Sequence, residues 1–155
     1  MQRLKDNFDP ATMTRWRALV IHQPYATAIC ERGAHVEIVS HAEQYRGDVL
    51  ICSSNAPHYP HLYCGATIGI AQLVDCIPVS EMNAQHWELT RIRKAKRDGI
   101  KRGYALLLAD ARRVIEMPCT AKRGLRWLYF DNDDITEYPR QVYLDDKAWR
   151  KMHKK

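Results

Sequence analysis

The stretch Ala18-Leu-Val-Ile-His-Gln-Pro-Tyr-Ala-Thr-Ala-Ile-Cys-Glu-Arg-Gly33 predicts a strand that turns directly into a helix. Residues 17–21 are mostly apolar and include branched side chains, which is typical of a strand. Pro24 suits the first turn of a helix, because the N–H that it lacks would have no partner there. Gly33 suits the position just after a helix, where φ is often positive. We therefore predict a strand at 17–21 and a helix at 24–32.

Outward from this block the chain predicts more strands than helices. Alternating or apolar runs favour strands at 35–40, 48–53, 65–77, 104–114 and 125–130, and residues 55–63 favour a loop. Gly65 and Gly69 indicate a bulge or a tight bend in the long strand. Asn83 is a candidate cap for a helix at 84–97, and a second helix is predicted at 145–154. Short strands with glycine bends and few helices predict an α+β fold built on a small β-barrel with flanking helices.

The length of 155 residues fits one domain. We divide the chain into an N-terminal arm at 1–16, the barrel domain at 17–130, and a C-terminal extension with a short basic helix at 131–155. No apolar run approaches the ~20 residues of a membrane span, and the N-terminus has no apolar segment typical of a secretory signal. The expected location is the cytoplasm, or the nucleus if the source is a eukaryote, with no membrane partner.

The cysteines and histidines predict neither a cofactor nor a metal site. Five cysteines, an odd number without a CxxC pair, argue against a zinc ribbon and a disulfide framework and favour small buried thiols. His58, His61 and Cys64 have the spacing H-x-x-H-x-x-C, which could supply three zinc ligands. A fourth ligand is not evident, so a surface loop with ordinary histidines is the preferred interpretation.

Residues 91–102, which we call the basic segment, concentrate the positive charge of the chain. They hold seven basic residues and one acidic residue, so their net charge equals the +6 of the whole sequence. The basic residues are Arg91, Arg93, Lys94, Lys96, Arg97, Lys101 and Arg102. A focused positive patch suits contact with phosphates, and the alternative is a solvated surface that aids solubility.

Four blocks of sequence resemble the ASCH (activating signal cointegrator homology) domain family of the PUA-like superfamily. Ala18 to Gly33 is similar to the family's opening S-I-H-Q-P-W-A-S-L-I-x-x-G. Tyr45-Arg-Gly-Asp-Val-Leu-Ile-Cys-Ser53 is similar to Y-R-G-x-L-x-I-x-A, and the run from Gly65 to Cys76 to G-x-x-x-G-x-x-x-L-x-D-C. Gly124-Leu-Arg-Trp-Leu-Tyr129 resembles the closing strand. The blocks lie in the family's order and span residues 17 to 130.

This resemblance implies a PUA-like β-barrel whose cleft faces RNA or a nucleoside. Some members of the family are amidohydrolases of acetylated cytidine, some are nucleases, and others bind nucleic acid alone. The family's cleft motif is G-x-K-x-x-E-x-R, whereas this chain has Gly33-Ala-His-Val-Glu-Ile-Val-Ser40. His35 therefore stands at the lysine position, and Glu37 comes one residue early.

The resemblance and local chemistry together nominate the site residues. His35 and Glu37 are the candidate catalytic residues, as a general acid–base pair. His22 and Gln23 precede the predicted helix N-terminus, where free N–H groups favour phosphate or a base carbonyl; the alternative is that they satisfy local backbone groups. Tyr25 could stack on a base or pack in the core. The predicted nucleic-acid-binding residues are His22, Gln23, Tyr25, Arg46, Ser53, Trp127 and the seven basic residues of the basic segment.

Three hypotheses for function follow. The first is nucleic-acid binding, to RNA rather than DNA, through the barrel cleft and the basic segment. The second is hydrolysis of a modified nucleoside, such as an acylated cytidine, or of RNA. The third is a protein-interaction domain whose basic segment contacts an acidic partner. The altered motif at residues 33–40 favours binding over catalysis, because the lysine that a hydrolytic site would use is replaced by a shorter imidazole.

Overall fold

The computed structural model describes residues 15–56, 58–119, 126–131 and 135–138. The elements follow the predicted order of strand, helix, three strands, helices and two strands. The strands are β1 (Arg15–Ile21), β2 (His35–Val39), β3 (Gly47–Ser53), β4 (Thr67–Pro78), β5 (Tyr104–Arg113) and β6 (Trp127–Asp131), and the helices are α1 (Tyr25–Arg32), α2 (Ala84–Thr90) and α3 (Lys94–Arg97). A 3-10 turn at Val79–Glu81 follows β4. The predicted helix at 145–154 lies outside the described residues.

The six strands form one sheet in the order β2-β5-β4-β3-β1-β6. Every pairing is antiparallel except that of β1 with β3, which is parallel. The parallel pair is joined through α1 and β2, as parallel strands need a crossover connection. With helices at its flanks, the sheet confirms the predicted α+β fold. Among the described residues no backbone ladder joins the edge strands β2 and β6, so the barrel is not closed by strand pairing.

Each face of the sheet carries its own apolar cluster. Leu19 and Ile21 of β1 point to the face that α1 covers with Ala26, Ile29 and Cys30. The intervening residues of β1 point to the opposite face, where they pack with the residues that follow β5; that cluster comprises Trp16, Ala18, Leu50, Cys52, Ile70, Val114 and Cys119. This alternation is the two-residue period of a strand buried on both sides.

Helix α1 begins and ends close to the predicted positions. Pro24 lies just before the first helical residue, and Gly33 has a φ of 82° with its N–H donated to the Ile29 carbonyl at 3.3 Å. β1 begins at Arg15, two residues earlier than the pattern indicated. These boundaries were predictable because proline and glycine act locally on the backbone.

The predicted single helix at 84–97 is wrong, because two short helices occupy this segment. Asn83 caps α2 as expected, accepting a hydrogen bond from the His86 N–H at 2.8 Å. The helix then ends at Arg91, which has the left-handed φ of 64°. The Thr90 hydroxyl stabilises this end, since it donates to the Trp87 carbonyl at 2.6 Å and accepts from the Ile92 N–H at 3.1 Å. A side chain that bonds nearby backbone in this way competes with helix continuation.

Three of the five cysteines are buried, which confirms the predicted small thiols, and Cys64 and Cys76 are half-buried. Burial raises the pKa of the Cys30 thiol to about 12, so this group stays protonated and unreactive at neutral pH.

None of the helices that the structure describes has the length and apolar character of a membrane-spanning segment.

Gly69 of β4 permits the close approach of α1 and β5. It lies next to an irregularity in the pairing of β4, where the sequence predicted a bulge or bend. The register of β3 and β4 shifts at Ile51/Cys52, opposite Gly69. A Cβ at Gly69 would overlap the Arg112 carbonyl oxygen and the Cys30 sulfur. The contact with the carbonyl cannot be relieved by a rotamer change, because it involves backbone.

We therefore expect Gly69→Ala to lower the free energy of unfolding by at least about 2 kcal/mol through overpacking. The measurement is urea denaturation followed by circular dichroism. Gly99→Ala is the matched control, because the nearest atom to its Cβ would be 3.6 Å away, and its effect should stay within about 0.5 kcal/mol. Equal stability of the two variants would show that the Gly69 contact is not needed.

Candidate functional site

His35 and Glu37 lie on the same side of β2 and form the predicted pair. They alternate with Val36 along the strand, and their backbones pair with Leu108 and Leu106 of β5. The His35 Nε2 atom lies 2.9 Å from Glu37 Oε1. His35 is 3% exposed, whereas the Glu37 side chain keeps 17% of its surface accessible. The carboxylate is therefore the more open end of the pair.

The second ring nitrogen of His35, Nδ1, is the buried atom of this pair that has no hydrogen-bond partner among the described residues. When Nε2 carries the proton and donates it to Glu37, Nδ1 has a free lone pair and acts as an acceptor. The arrangement can thus receive a hydrogen bond from a donor that enters the interior, with the carboxylate fixing the tautomer.

Arg126 joins β2 to the other edge of the sheet, and no sequence motif pointed to it. Its guanidinium donates to Glu37 Oε2 at 3.0 Å, to the Ile38 carbonyl at 3.3 Å and to the Val20 carbonyl at 3.2 Å. The residue directly precedes β6, and its own carbonyl accepts from the Val20 N–H at 2.8 Å. We call the space between β2 and β6 the seam; Arg126 bridges it with side-chain bonds where a strand ladder is missing.

Arg17 makes a second connection, beside the seam. It joins β1 to residues 40–46, which follow β2. Its guanidinium is hydrogen-bonded to Glu43 and lies 5.1 Å from the ring centroids of both Tyr45 and Trp127. A guanidinium between two aromatic faces gains from both ring quadrupoles. Burial and the nearby Asp48 carboxylate raise the pKa of Tyr45, whose hydroxyl donates to the Asp48 carbonyl at 2.9 Å.

Arg46, a predicted nucleic-acid-binding residue, binds the backbone of the segment that Arg17 contacts. It donates to the carbonyls of Glu43 and Tyr45 at 2.7 and 2.9 Å and reaches Asp75 at 3.4 Å. Its side chain is 36% exposed. Arg46 therefore orders residues 43–45 and keeps only part of its donor capacity for a ligand.

Two of the predicted nucleic-acid-binding residues, Gln23 before α1 and Ser53 at the end of β3, are buried. The Gln23 amide donates to Thr27 Oγ1 and the Tyr63 carbonyl at 2.8 and 2.7 Å and accepts from the Thr27 N–H at 3.0 Å. The Ser53 hydroxyl is bonded to the backbone of Ala66. Both side chains satisfy the local backbone, which is the alternative that the sequence left open for Gln23.

His22 and Tyr25 remain at the surface. His22 Nδ1 lies 2.7 Å from Ser54 Oγ, and the Ser54 hydroxyl is 2.8 Å from the Ala56 carbonyl. If that hydroxyl donates to the carbonyl, His22 Nδ1 carries the proton and Nε2 is an acceptor facing solvent. Tyr25 is 49% exposed, so it is not a core residue.

The cations of the basic segment fall into two groups, those that bind the protein's own backbone and those that are exposed. Arg91 donates to the Ala34 carbonyl at 3.2 Å, and burial together with the neighbouring Arg32 lowers its pKa. Arg97 donates to the Ile92 carbonyl at 2.9 Å and pairs with Glu88 at 3.2 Å. These two arginines hold the turn together. The remaining five are exposed and form no ion pair with another described residue: Arg93, Lys94, Lys96, Lys101 and Arg102.

The end of β2 lies between the basic segment and the seam. Gly103, the residue after the segment, lies so close to β2 that an added Cβ would be 2.6 Å from the Val39 carbonyl oxygen. Arg126 reaches the same end of β2 through the Ile38 carbonyl. The last cations of the basic segment and the Arg126 guanidinium therefore flank one strand end.

Histidines and cysteines do not assemble a metal site in the described residues. Within that part of the chain, no group of three His, Cys, Asp or Glu side chains is placed to hold a metal ion. In the H-x-x-H-x-x-C loop, the Cys64 sulfur instead accepts from the Tyr59 N–H at 3.3 Å.

Comparison with known proteins supports the fold. No protein-family model and no curated protein sequence matches the chain. The crystal structure of ASCH from Zymomonas mobilis superposes with a TM-score of 0.58 at 12% identity, over 76% of this chain and 89% of that one. Crystal structures of a Ser-to-Ala and a Tyr-to-Phe variant of that protein superpose with TM-scores of 0.57 and 0.55, each at 12% identity over 74% of this chain, and over 87% and 88% of theirs. The chain therefore has the fold of these ASCH crystal structures, as the four sequence blocks predicted.

We expect Arg126→Lys to destabilise the protein by about 1–3 kcal/mol, because an ammonium is a point donor that does not match three acceptors in a fork. Guanidinium chloride unfolding gives the energy, and hydrogen exchange should show faster opening of the β2 amides. Arg93→Lys is the comparison for a surface arginine, since Arg93 is exposed and forms no ion pair with another described residue.

A double-mutant cycle with Glu37→Gln separates the ion pair from the carbonyl contacts. The two substitutions should cost less together than the sum of their separate effects, since either one disrupts the Arg126–Glu37 contact. Fully additive effects would contradict a direct interaction between the two side chains.

Proposed function

We propose that this domain binds nucleic acid, RNA in preference to DNA, with the basic segment on the phosphates and the surface at the seam on an exposed base. The observation that carries the proposal is the set of five exposed cations at residues 93–102 that have no ion pair among the described residues. Unpaired cations retain their full capacity for phosphate, and release of counterions from the nucleic acid favours such binding.

The surroundings of the basic segment support this proposal over general solubility. Arg91 and Arg97 use their guanidinium groups to fix the backbone, so the exposed cations project from an ordered turn. The segment meets the end of β2 beside the seam, where Arg126 contacts Glu37 and the Ile38 carbonyl. Phosphate contacts position a nucleic acid, and groups in an adjacent cleft can then contact its base. The preference for RNA comes from the resemblance to ASCH domains.

The first experiment measures the affinity for a single-stranded oligouridine as a function of salt. In the wild type, binding should weaken steeply as salt rises. Replacing Arg93, Lys94, Lys96 and Arg102 by Gln should reduce the slope of log K against log salt by about 0.7 for each phosphate that is no longer neutralised. The four side chains are exposed, so the variant should fold normally.

Arg97→Gln is the matched control from the same segment. It also removes one positive charge, but the Arg97 guanidinium is already hydrogen-bonded to Glu88 and to the Ile92 carbonyl. It should lower stability while leaving the salt slope close to that of the wild type. A quadruple variant with an unchanged salt slope would reject phosphate binding by the basic segment.

A second candidate function is hydrolysis of an acylated nucleoside or of RNA by His35 and Glu37. The observation that favours it is a buried imidazole whose Nδ1 has no hydrogen-bond partner among the described residues and whose other nitrogen is 2.9 Å from a carboxylate. Such a pair can relay a proton to a bound substrate. The contact of Arg126 with the second carboxylate oxygen favours a structural use of Glu37, which ranks this function second.

The hydrolase hypothesis predicts turnover that is lost in both His35→Gln and Glu37→Gln, by at least about 100-fold. The assay follows release of acetate from N4-acetylcytidine and cleavage of single-stranded RNA by chromatography. The quadruple variant of the basic segment should keep turnover of the free nucleoside, which has no phosphate. Absence of turnover by the wild type on both substrates would reject this function and leave binding unaffected.

A further inference from the structure

Tyr129 is the most exposed aromatic residue in the described part of the chain, although it lies within a strand of the sheet. Its exposed fraction is 53%. Trp127, two residues earlier on the same face of β6, is half-buried, packs against the core and lies beneath the Arg17 guanidinium. Trp127 is one of the residues that the sequence nominated for nucleic-acid binding, but the more accessible ring on this face is that of Tyr129.

Two arginines from β1 flank this ring. Arg17 is the direct cross-strand neighbour of Tyr129, and its guanidinium carbon is 6.0 Å from the ring centroid. The guanidinium carbon of Arg15, an exposed residue, is 5.1 Å from the same centroid. Cation–π contact holds Arg15 against the tyrosine, and more than half of the tyrosine still faces solvent.

We propose that Tyr129 and Arg15 form a stacking platform for one unpaired nucleobase of a single-stranded RNA. This proposal rests on the proposed binding function and specifies where a base is held. Aromatic rings and guanidinium planes are the surfaces on which proteins stack unpaired bases. The Arg15 charge is then next to the phosphate of the stacked nucleotide, where its N–H groups can donate.

The charge of the platform selects this occupant over a cationic one. A ring with a guanidinium already on it repels a second cation such as a methylated ammonium, whereas a flat neutral base with an anionic phosphate complements both groups. Arg17 does not compete for the phosphate, because Glu43 occupies its guanidinium. Arg15 is exposed, and its guanidinium lies over the exposed ring of Tyr129, so it is the cation of the two that the proposal assigns to the phosphate.

The platform and the basic segment lie on opposite sides of the seam. Tyr129 is in β6, which begins directly after Arg126, and Arg126 donates to the end of β2. Gly103, at the end of the basic segment, lies against that same strand end. The proposal places the phosphates of a strand of RNA on the exposed cations and one of its unpaired bases across the seam, on the platform.

The test uses a single-stranded oligouridine that carries one 2-aminopurine, whose fluorescence is quenched on stacking. Tyr129→Leu should weaken binding roughly 5- to 100-fold, the range for loss of one base stack, and abolish the quenching. Tyr129→Phe keeps the ring and should stay within about 2-fold of the wild type. Arg15→Gln should weaken binding and reduce the salt slope by about 0.7, which tests the cation separately from the ring.

Tyr59→Leu is the matched control, since Tyr59 is a surface tyrosine at 38% exposure and has no described arginine over its ring. It should bind and quench as the wild type does. If Tyr129→Leu equals the wild type, or if Tyr59→Leu weakens binding as much, the platform is overturned while salt-dependent binding by the basic segment stands. Absence of RNA binding by the wild type itself would overturn the proposed function.

Discussion

The whole fold depends on how a six-stranded sheet with two free edges is closed, and the Arg126 guanidinium provides that closure. One side chain donates to a carboxylate on β2, to a carbonyl on β2 and to a carbonyl on β1. Hydrogen bonds to charged groups contribute about 1.5–3 kcal/mol each, and unpaired strand edges are otherwise open to association with other chains. Arg17, with Glu43 and Tyr45, closes the neighbouring part of the seam.

This closure also determines what the candidate site can do. Because Arg126 occupies one oxygen of Glu37 and His35 the other, the carboxylate has a fixed orientation before any ligand binds. The lysine of the ASCH motif is absent, and the cation that meets Glu37 is Arg126, 89 positions further along the chain. The same arginine fixes the start of β6, the strand that carries Tyr129, against the strand end that the basic segment contacts. Stability and the proposed recognition of nucleic acid therefore share a single set of contacts.

The sequence predicted the elements whose signals are local. Pro24 and Gly33 marked helix α1, Asn83 marked the start of α2, and the alternation at 35–40 marked β2. The prediction of one helix at 84–97 missed the break at Arg91, because the Thr90 hydroxyl and a left-handed residue outweighed the helical pattern. Gln23 and Ser53 belong to motifs that suggested ligand contact, but burial directs both toward the backbone. Arg126 was beyond local reasoning, since its partner Glu37 is 89 positions away.

The most direct measurement of the central claim is an NMR titration of the labelled protein with a single-stranded oligouridine. We predict that chemical-shift changes are concentrated in residues 93–103, at the end of β2 and in β6, with the Arg126 side-chain resonances perturbed but still protected from exchange. Changes confined to the far strands, around the exposed Val74 of β4, or no changes at high RNA concentration, would contradict this mode of binding.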